Sequence, residues 1–258
     1  GLTTALMGIL KATAQSDLKR LLAYSSVENM GLMVMGLGAG LIGQSCGNAW
    51  IAMLGFSGAL LHMLNHAAFK GLLFLCVGEV QHATGTVRMQ YLGGLQKRLP
   101  LLGALFAVGA AAMACLPPFN GFTGELVLCL SLLDAPALLG VERQVGLLLA
   151  LAGIACISGL AAALYAKAYG IAFLGEPRSI QAANVHPLSW RRLWPLAVPA
   201  AACLAGGLAA PCVYDLAAEA AQSALPLPQT LQQAGLAGLT QAHASLASVA
   251  KIGGAGLG

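Results

Sequence analysis

Charge is what this sequence has least of: only 9% of its 258 residues are Asp, Glu, Lys or Arg. Soluble globular domains carry roughly 25%, so the deficit argues against a water-soluble fold. Basic clusters interleaved with aromatics are absent as well, which leaves nucleic-acid binding without support. The seven cysteines (Cys46, Cys76, Cys115, Cys129, Cys156, Cys203 and Cys212) form no CxxC pair. Most of them sit in apolar runs and read as small buried hydrophobes, which points away from a disulfide frame or an iron–sulfur cluster. No haem or flavin motif is visible, so no cofactor is expected in this chain. There is no signal peptide either. The first residue is Gly1 and the apolar pattern is already under way there, so the expectation is a fragment lacking its N-terminal part.

What the sequence does have is hydrophobic length. Apolar residues make up 58% of the chain, and runs of about 20 of them predict transmembrane helices. The fold class that follows is all-α: a polytopic membrane protein of about six spans. The segments are Leu2 to Ala14, Leu21 to Ile42, Ile51 to Glu79, Leu101 to Leu133, Val145 to Phe173 and Leu193 to Val213. The loops on one side hold Lys19, Arg20, Arg88, Lys97, Arg98, Arg178, Arg191 and Arg192, whereas those on the other hold only Arg143. By the positive-inside rule the first side is cytoplasmic. A transmembrane unit is thus expected over 1–213. A tail over 214–258 is rich in Ala, Gln, Ser, Leu and Gly, with a weak interfacial-helix pattern around Gln229 to Val249.

Ionisable groups at membrane depth cost about 2.5–3.5 kcal/mol each at the worst positions, and they mark functional sites by default. HMLNHAAFKGLLFL (62–75) places His62, His66 and Lys70 at i, i+4, i+8. Each step of four drifts only about 40°, so the groups form a stripe of about 12 Å. Asn65 widens the stripe and Phe69 interrupts it. Leu60, Leu64, Ala67 and Leu75 face away. This is the pattern of a helix lining a hydrated path, because histidine and buried lysine can both exchange protons near neutral pH. HxxxH supplies only two metal ligands and lacks the glutamate of HExxH, so no metal is expected. Glu28, in LLAYSSVENMGLM, is either a relay from Lys19 and Arg20 or an interfacial residue. Lys167 is read as snorkelling to the cytoplasmic interface. GLGAG (36–40) is read as close helix packing rather than a phosphate loop.

CLPPFNGFTGELVLCL (115–130) predicts a discontinuous membrane helix. Pro117 and Pro118 remove donors and disfavour helix in the residues before them, while Gly121 and Gly124 add freedom. A short extended break is expected, of the kind tolerated where a helix lines a cavity. Glu125 is expected at the start of the new half-helix, where the helix dipole favours its charge.

DLKRLLAYSS (17–26), HMLNHAAFKGLLFL (62–75), YLGGLQKRLPLLGALF (91–106) and LPPFNGFTGE (116–125) occur in this order. Together they resemble the antiporter-like membrane subunits of respiratory complex I and its Mrp antiporter relatives. SVENMG (26–31), LPPFNGFTGE and YAKAYGIAFLGEPRS (165–179) look most like the large membrane subunit of group 4 hydrogenases, of the formate hydrogenlyase and hydrogenase-4 type. The resemblance implies a longer protein of two inverted repeats, each with a broken helix and a proton half-channel. This chain would supply part of the second repeat and the last helices. A membrane glutamate–lysine pair of the family's first repeat has no counterpart here. Carried over by position, Lys70 matches a lysine of the family's hydrophilic axis and His62 and His66 its neighbours. Glu125 matches the titratable group of the second broken helix.

The expected function is proton translocation in a redox complex of the inner (cytoplasmic) membrane. Electron transfer would occur in peripheral hydrogenase or dehydrogenase subunits, and other membrane subunits would be neighbours. The proton pathway would comprise Lys70, His62, His66, Glu125 and Glu28. Two other readings stand beside it: a sodium–proton antiporter subunit without redox partners, and a structural membrane anchor.

Overall fold

The computed structural model of the chain describes residues 1–133, 141–224, 240 and 242–251. Ten α-helices and one 3-10 turn follow in order among them. They are α1 (Leu2–Thr13), α2 (Leu18–Ser45), α3 (Ala49–Thr84), the turn Met89–Tyr91, α4 (Leu95–Arg98) and α5 (Pro100–Met113). After these come α6 (Asn120–Leu133), α7 (Val141–Phe173), α8 (Ile180–Ala183), α9 (Trp190–Leu208) and α10 (Ala210–Ala224). Local chemistry sets the limits. Asp17 caps α2 by accepting from the Arg20 amide at 3.0 Å, and Asn48 caps α3 by accepting from that of Ile51 at 3.1 Å. Gly85 ends α3 at φ 71°, a left-handed position that glycine adopts without a Cβ penalty. Pro100 opens α5, where its missing N–H costs nothing.

Leu18–Ser45, Ala49–Thr84 and Gln144–Phe173 are long and apolar enough to cross a membrane. The 36 residues of α3 rise about 54 Å, well beyond a ~30 Å hydrocarbon core, so this helix tilts or protrudes. Leu2–Thr13, Pro100–Met113 and Asn120–Leu133 are shorter apolar helices. Leucines and other large apolar side chains stay exposed on the rim, among them Leu10, Val34, Leu41, Leu64, Leu75 and Leu149. A rim of that kind suits lipid. The chain is thus a polytopic, all-helical membrane protein.

The centre of the bundle is α3, which touches α2, α5, α6, α9 and α10. Close approach to α2 depends on small residues: a Cβ on Gly40 would lie 2.9 Å from the Phe56 ring, and one on Gly55 only 2.7 Å from the Gly36 carbonyl. The GLGAG packing expectation therefore holds for Gly36 and Gly40, whereas Gly38 faces open space. Between α5 and α7, Phe106 and Tyr169 both stack on Phe173, with ring centroids 4.9 and 5.3 Å away.

The loops between α1 and α2, α3 and α5, and α7 and α9 meet at one end of the bundle. The Leu18 amide donates to Val87 O at 3.0 Å, Met89 to Ser16 O at 2.8 Å, and Gly94 to Leu174 O at 2.9 Å. Arg178 ties the same loops by donating to Met89 O and Leu92 O. All eight cations of the predicted cytoplasmic side lie in these loops or the helix turns flanking them. The side chain of Arg143 falls outside the described residues.

Three expectations need correcting. The sixth segment, predicted as one run from Leu193 to Val213, is two helices meeting at 90°. The bend lies where Gly206 and Gly207 of α9 press on the α5–α6 connection: a Cβ on Gly207 would meet the Phe119 carbonyl carbon at 2.8 Å. Pro211 then opens α10 in a first turn that needs no donor. Second, the break around Pro117 and Pro118 is a compact turn rather than an extended stretch. Leu116 N–H reaches back to Ala111 O at 3.0 Å, and Phe119 N–H to Leu116 O at 3.0 Å; the Pro117–Pro118 peptide is cis. Third, Gly121 and Gly124 are helical residues of α6, so they serve close packing rather than flexibility.

Of the tail, 225–239, 241 and 252–258 lie outside the described residues, and with them most of the predicted interfacial helix. Residue 213 falls inside α10. Ala242 and Leu246, in the helical stretch 242–251, pack with Leu54, Leu61, Val127 and Tyr214.

Candidate functional site

Lys70 is 5% exposed and its ammonium has three donors and no acceptor. Three acceptors surround it: Leu22 O at 3.0 Å, the Ser25 hydroxyl in a short contact, and Tyr165 Oη at 3.2 Å. These come from α2 and α7, so the lysine joins three helices. The hydroxyls satisfy one another, since Tyr165 Oη lies 2.8 Å from Ser25 Oγ and Ser25 Oγ can donate to Leu22 O at 3.1 Å. Glu28, one helical turn beyond Ser25, is 2% exposed.

His62, fully buried, is met from α2 by Asn29, whose Oδ1 lies 2.9 Å from His62 Nε2. Asn29 also donates to Ser25 O at 2.8 Å. The link from the lysine to the histidine therefore runs along α2, through Ser25 and Asn29, rather than down the face of α3. Phe69 explains the detour. Its ring is fully buried and lies edge-on to His66 at 5.5 Å and to His62 at 6.4 Å. His66 is half-buried.

The other side of His62 faces α6. Gly124 is there because a Cβ would sit 2.9 Å from His62 Nδ1 and 3.0 Å from its Cα. Asn65 and Asn120 clasp the start of α6 to α3: Asn65 donates to Asn120 O at 2.8 Å, and Asn120 donates back to Asn65 O at 3.3 Å. Glu125, 9% exposed, receives a short hydrogen bond from Ser158 of α7. Ser158 has a second acceptor in Ile154 O at 2.8 Å. Glu125 lies in the second turn of α6, because the helix restarts at Asn120. The expected support from the helix N-terminus is therefore small, as that effect fades within the first turn; the Ser158 hydroxyl stands in its place.

All five predicted pathway residues are thus in the interior or half-buried. Lys70 and His62 are joined through Ser25 and Asn29, whereas Glu125 with Ser158 forms a separate hydrogen-bonded group among the described residues. Between them Glu28 Oε2, His62 Nδ1, His66 Nε2 and Asn120 Oδ1 are buried without a hydrogen-bond partner among the described residues. Lys167 behaves as predicted in reaching the surface, and it also caps α1 by donating to Thr13 O at 2.8 Å. Pro117 and Pro118 form the break, while Gly121 packs just beyond it, where its Cβ would lie 3.0 Å from the Ala112 carbonyl carbon. Sequence reasoning did not single out Ser25, Asn29, Tyr165 or Ser158. The signal for two of them was available: Ser25 and Asn29 are four apart in α2, the spacing already used for the stripe of α3. Nothing in the sequence alone joins Ser158 to Glu125, which is 33 residues away.

The family described as NADH:quinone oxidoreductase/Mrp antiporter, TM, matches residues 1–147. Formate hydrogenlyase subunit 3 of Escherichia coli (strain K12) is 39% identical over 231 residues, which are 88% of this chain and 37% of that protein. Hydrogenase-4 component B of the same organism is 37% identical over 210 residues, covering 81% of this chain and 31% of the relative. The chain thus spans about a third of the length of the curated relatives it matches. A chain of the Mrp complex from Dietzia sp. DQ12-45-1b has the same fold, with a TM-score of 0.73 at 22% identity over 91% of this chain and 48% of that one. The motifs, the fold and the match over more than half its length agree: this chain belongs to the NADH:quinone oxidoreductase/Mrp antiporter transmembrane family.

Proposed function

We propose that this chain is part of a proton-translocating membrane subunit of a redox complex in the inner (cytoplasmic) membrane, with electron transfer carried out by peripheral hydrogenase or dehydrogenase subunits. The observation that carries the reading is the buried Lys70 ammonium held by three acceptors from two other helices. The hydroxyls around it suit both protonation states. With the ammonium, Ser25 and Tyr165 accept; with the neutral amine, either hydroxyl can turn and donate to the nitrogen lone pair. Ser158 offers Glu125 the same choice, since its proton can go to the carboxylate or to Ile154 O. In this reading Lys70 changes protonation with the charge of Glu28. His62 and His66 pass the proton on, and Glu125 delivers it to the far side. The orphaned atoms of Glu28, His62, His66 and Asn120 mark where water would complete the path. The hydrogenase names of the two curated relatives support the redox partnership.

The test uses the whole complex in inverted membrane vesicles. Lys70→Ala and Glu125→Gln are expected to abolish most proton uptake while assembly and electron-donor turnover persist. Normal pumping in both variants would remove the mechanism. Proton movement that needs sodium and no electron donor would favour an antiporter, and loss of assembly alone would favour a structural anchor.

A further inference from the structure

We propose that the cytoplasmic end of this chain holds an anionic phospholipid between the start of α5 and the start of α9. Two cavities adjoin there and share Pro187 and Leu188 of the connection into α9. The first, about 310 Å³, is apolar, with walls that include Leu99, Leu101, Leu102 and Leu193. Arg98 and Trp190 stand at it. The second, about 360 Å³, is polar and is lined by His82, His186, Ser189 and Arg192. An apolar slot continuous with a polar cup matches one kind of molecule, a lipid with an acyl chain and a headgroup.

The charge around the pair selects the headgroup. Arg192 is paired with Glu79 at 3.1 Å, and Lys97 with Glu176 at 2.6 Å. Arg98 and Arg191 have no ion-pair partner among the described residues, and both are exposed. Arg98 lines the apolar cavity, and Arg191 lies in sequence between Trp190 and Arg192, which line the apolar and the polar cavity, so uncompensated positive charge stands at the pair and complements a phosphate. Depth agrees as well: Trp190, which lines the apolar cavity, is 67% exposed, and tryptophan gathers at the headgroup level. Basic pockets between helices on the cytoplasmic side are suited to anionic lipid, each cation near the surface strengthening the attraction. The site is separate from the proton axis and does not depend on it.

The experiment takes the full-length subunit in its complex and exchanges its lipids in detergent for phosphatidylglycerol or phosphatidylcholine with the same acyl chains. Bound lipid is then counted by native mass spectrometry. Retention of phosphatidylglycerol after a wash that strips phosphatidylcholine is expected. The double variant Arg98→Gln/Arg191→Gln should bind phosphatidylglycerol about thirtyfold more weakly, while Arg98→Lys/Arg191→Lys retains it. Equal retention of both lipids, or unchanged binding in the glutamine variant, would overturn the proposal. A photo-crosslinker at Leu101 gives a readout that leaves the charges intact. Lipid adducts support the site, and capture of a neighbouring subunit instead refutes it.

Discussion

His62 Nε2 lies 2.9 Å from Asn29 Oδ1, and through this contact α2 takes hold of the buried histidine of α3. The same asparagine amide donates to the carbonyl of Ser25, the residue whose hydroxyl meets Lys70. Replacing Asn29 by Ala should leave His62 without its partner in a fully buried place. An orphaned buried polar group costs about 1–3 kcal/mol. A lower unfolding midpoint is expected in a thermal assay of the purified complex, and an unchanged midpoint would show that this bond contributes nothing.

Tyr165→Phe removes one of the three acceptors of Lys70 and the hydroxyl that shares a hydrogen bond with Ser25. Ring packing is retained, so assembly should persist. Proton uptake in inverted vesicles should slow while electron-donor oxidation continues. Equal loss of both activities would mean that Tyr165 is needed for the fold rather than for the proton.

Ser158→Ala deprives the Glu125 carboxylate of its hydroxyl donor. Slower proton movement is expected, with recovery in Ser158→Thr, which restores a hydroxyl on the same carbon. If the alanine variant pumps at the wild-type rate, the pairing of α7 with the broken helix is merely structural.

Glycine positions should divide by what a methyl group would strike. Gly124→Ala places one 3.0 Å from the His62 Cα, and overpacking of this kind typically costs about 1–3 kcal/mol. Gly78 has nothing within 4 Å, so Gly78→Ala should be neutral or, from helix propensity, stabilising by up to about 1 kcal/mol. Comparing the detergent-resistant fraction of the two variants checks this. The opposite order would mean that α6 does not seat against His62.

At the end of the bundle where the cationic loops meet, the Lys97 ammonium beside Glu176 holds that carboxyl below its ordinary value, chiefly through the hydrogen bond and then through charge. A depressed carboxylate contributes stability above its unfolded pKa and loses it as pH falls through the folded one. The pair is exposed, so its effect should be small and screened by salt. In Glu176→Gln any change in stability should vanish in acid, and a difference that persists there would point to some other contact.

The long apolar runs, the cationic loops and the stripe of His62, His66 and Lys70 were all legible in the sequence, because each depends on neighbours along one helix or loop. So was the interruption at Pro117 and Pro118, since proline acts on its own backbone. The 90° bend after Leu208 was not, because Gly206 and Gly207 read as ordinary apolar-helix residues until the α5–α6 turn is set against them. Glu125 could be named as a buried carboxylate, but its donor could not, for Ser158 comes from α7.

By itself the sequence determined that the chain is a helical membrane protein with costly charges inside, because hydropathy and period are one-dimensional properties. Only the tertiary structure decided who satisfies those charges. Hydrogen bonds need partners within about 3 Å, and for Lys70, His62 and Glu125 those partners arrive on other helices, from positions that only packing brings together.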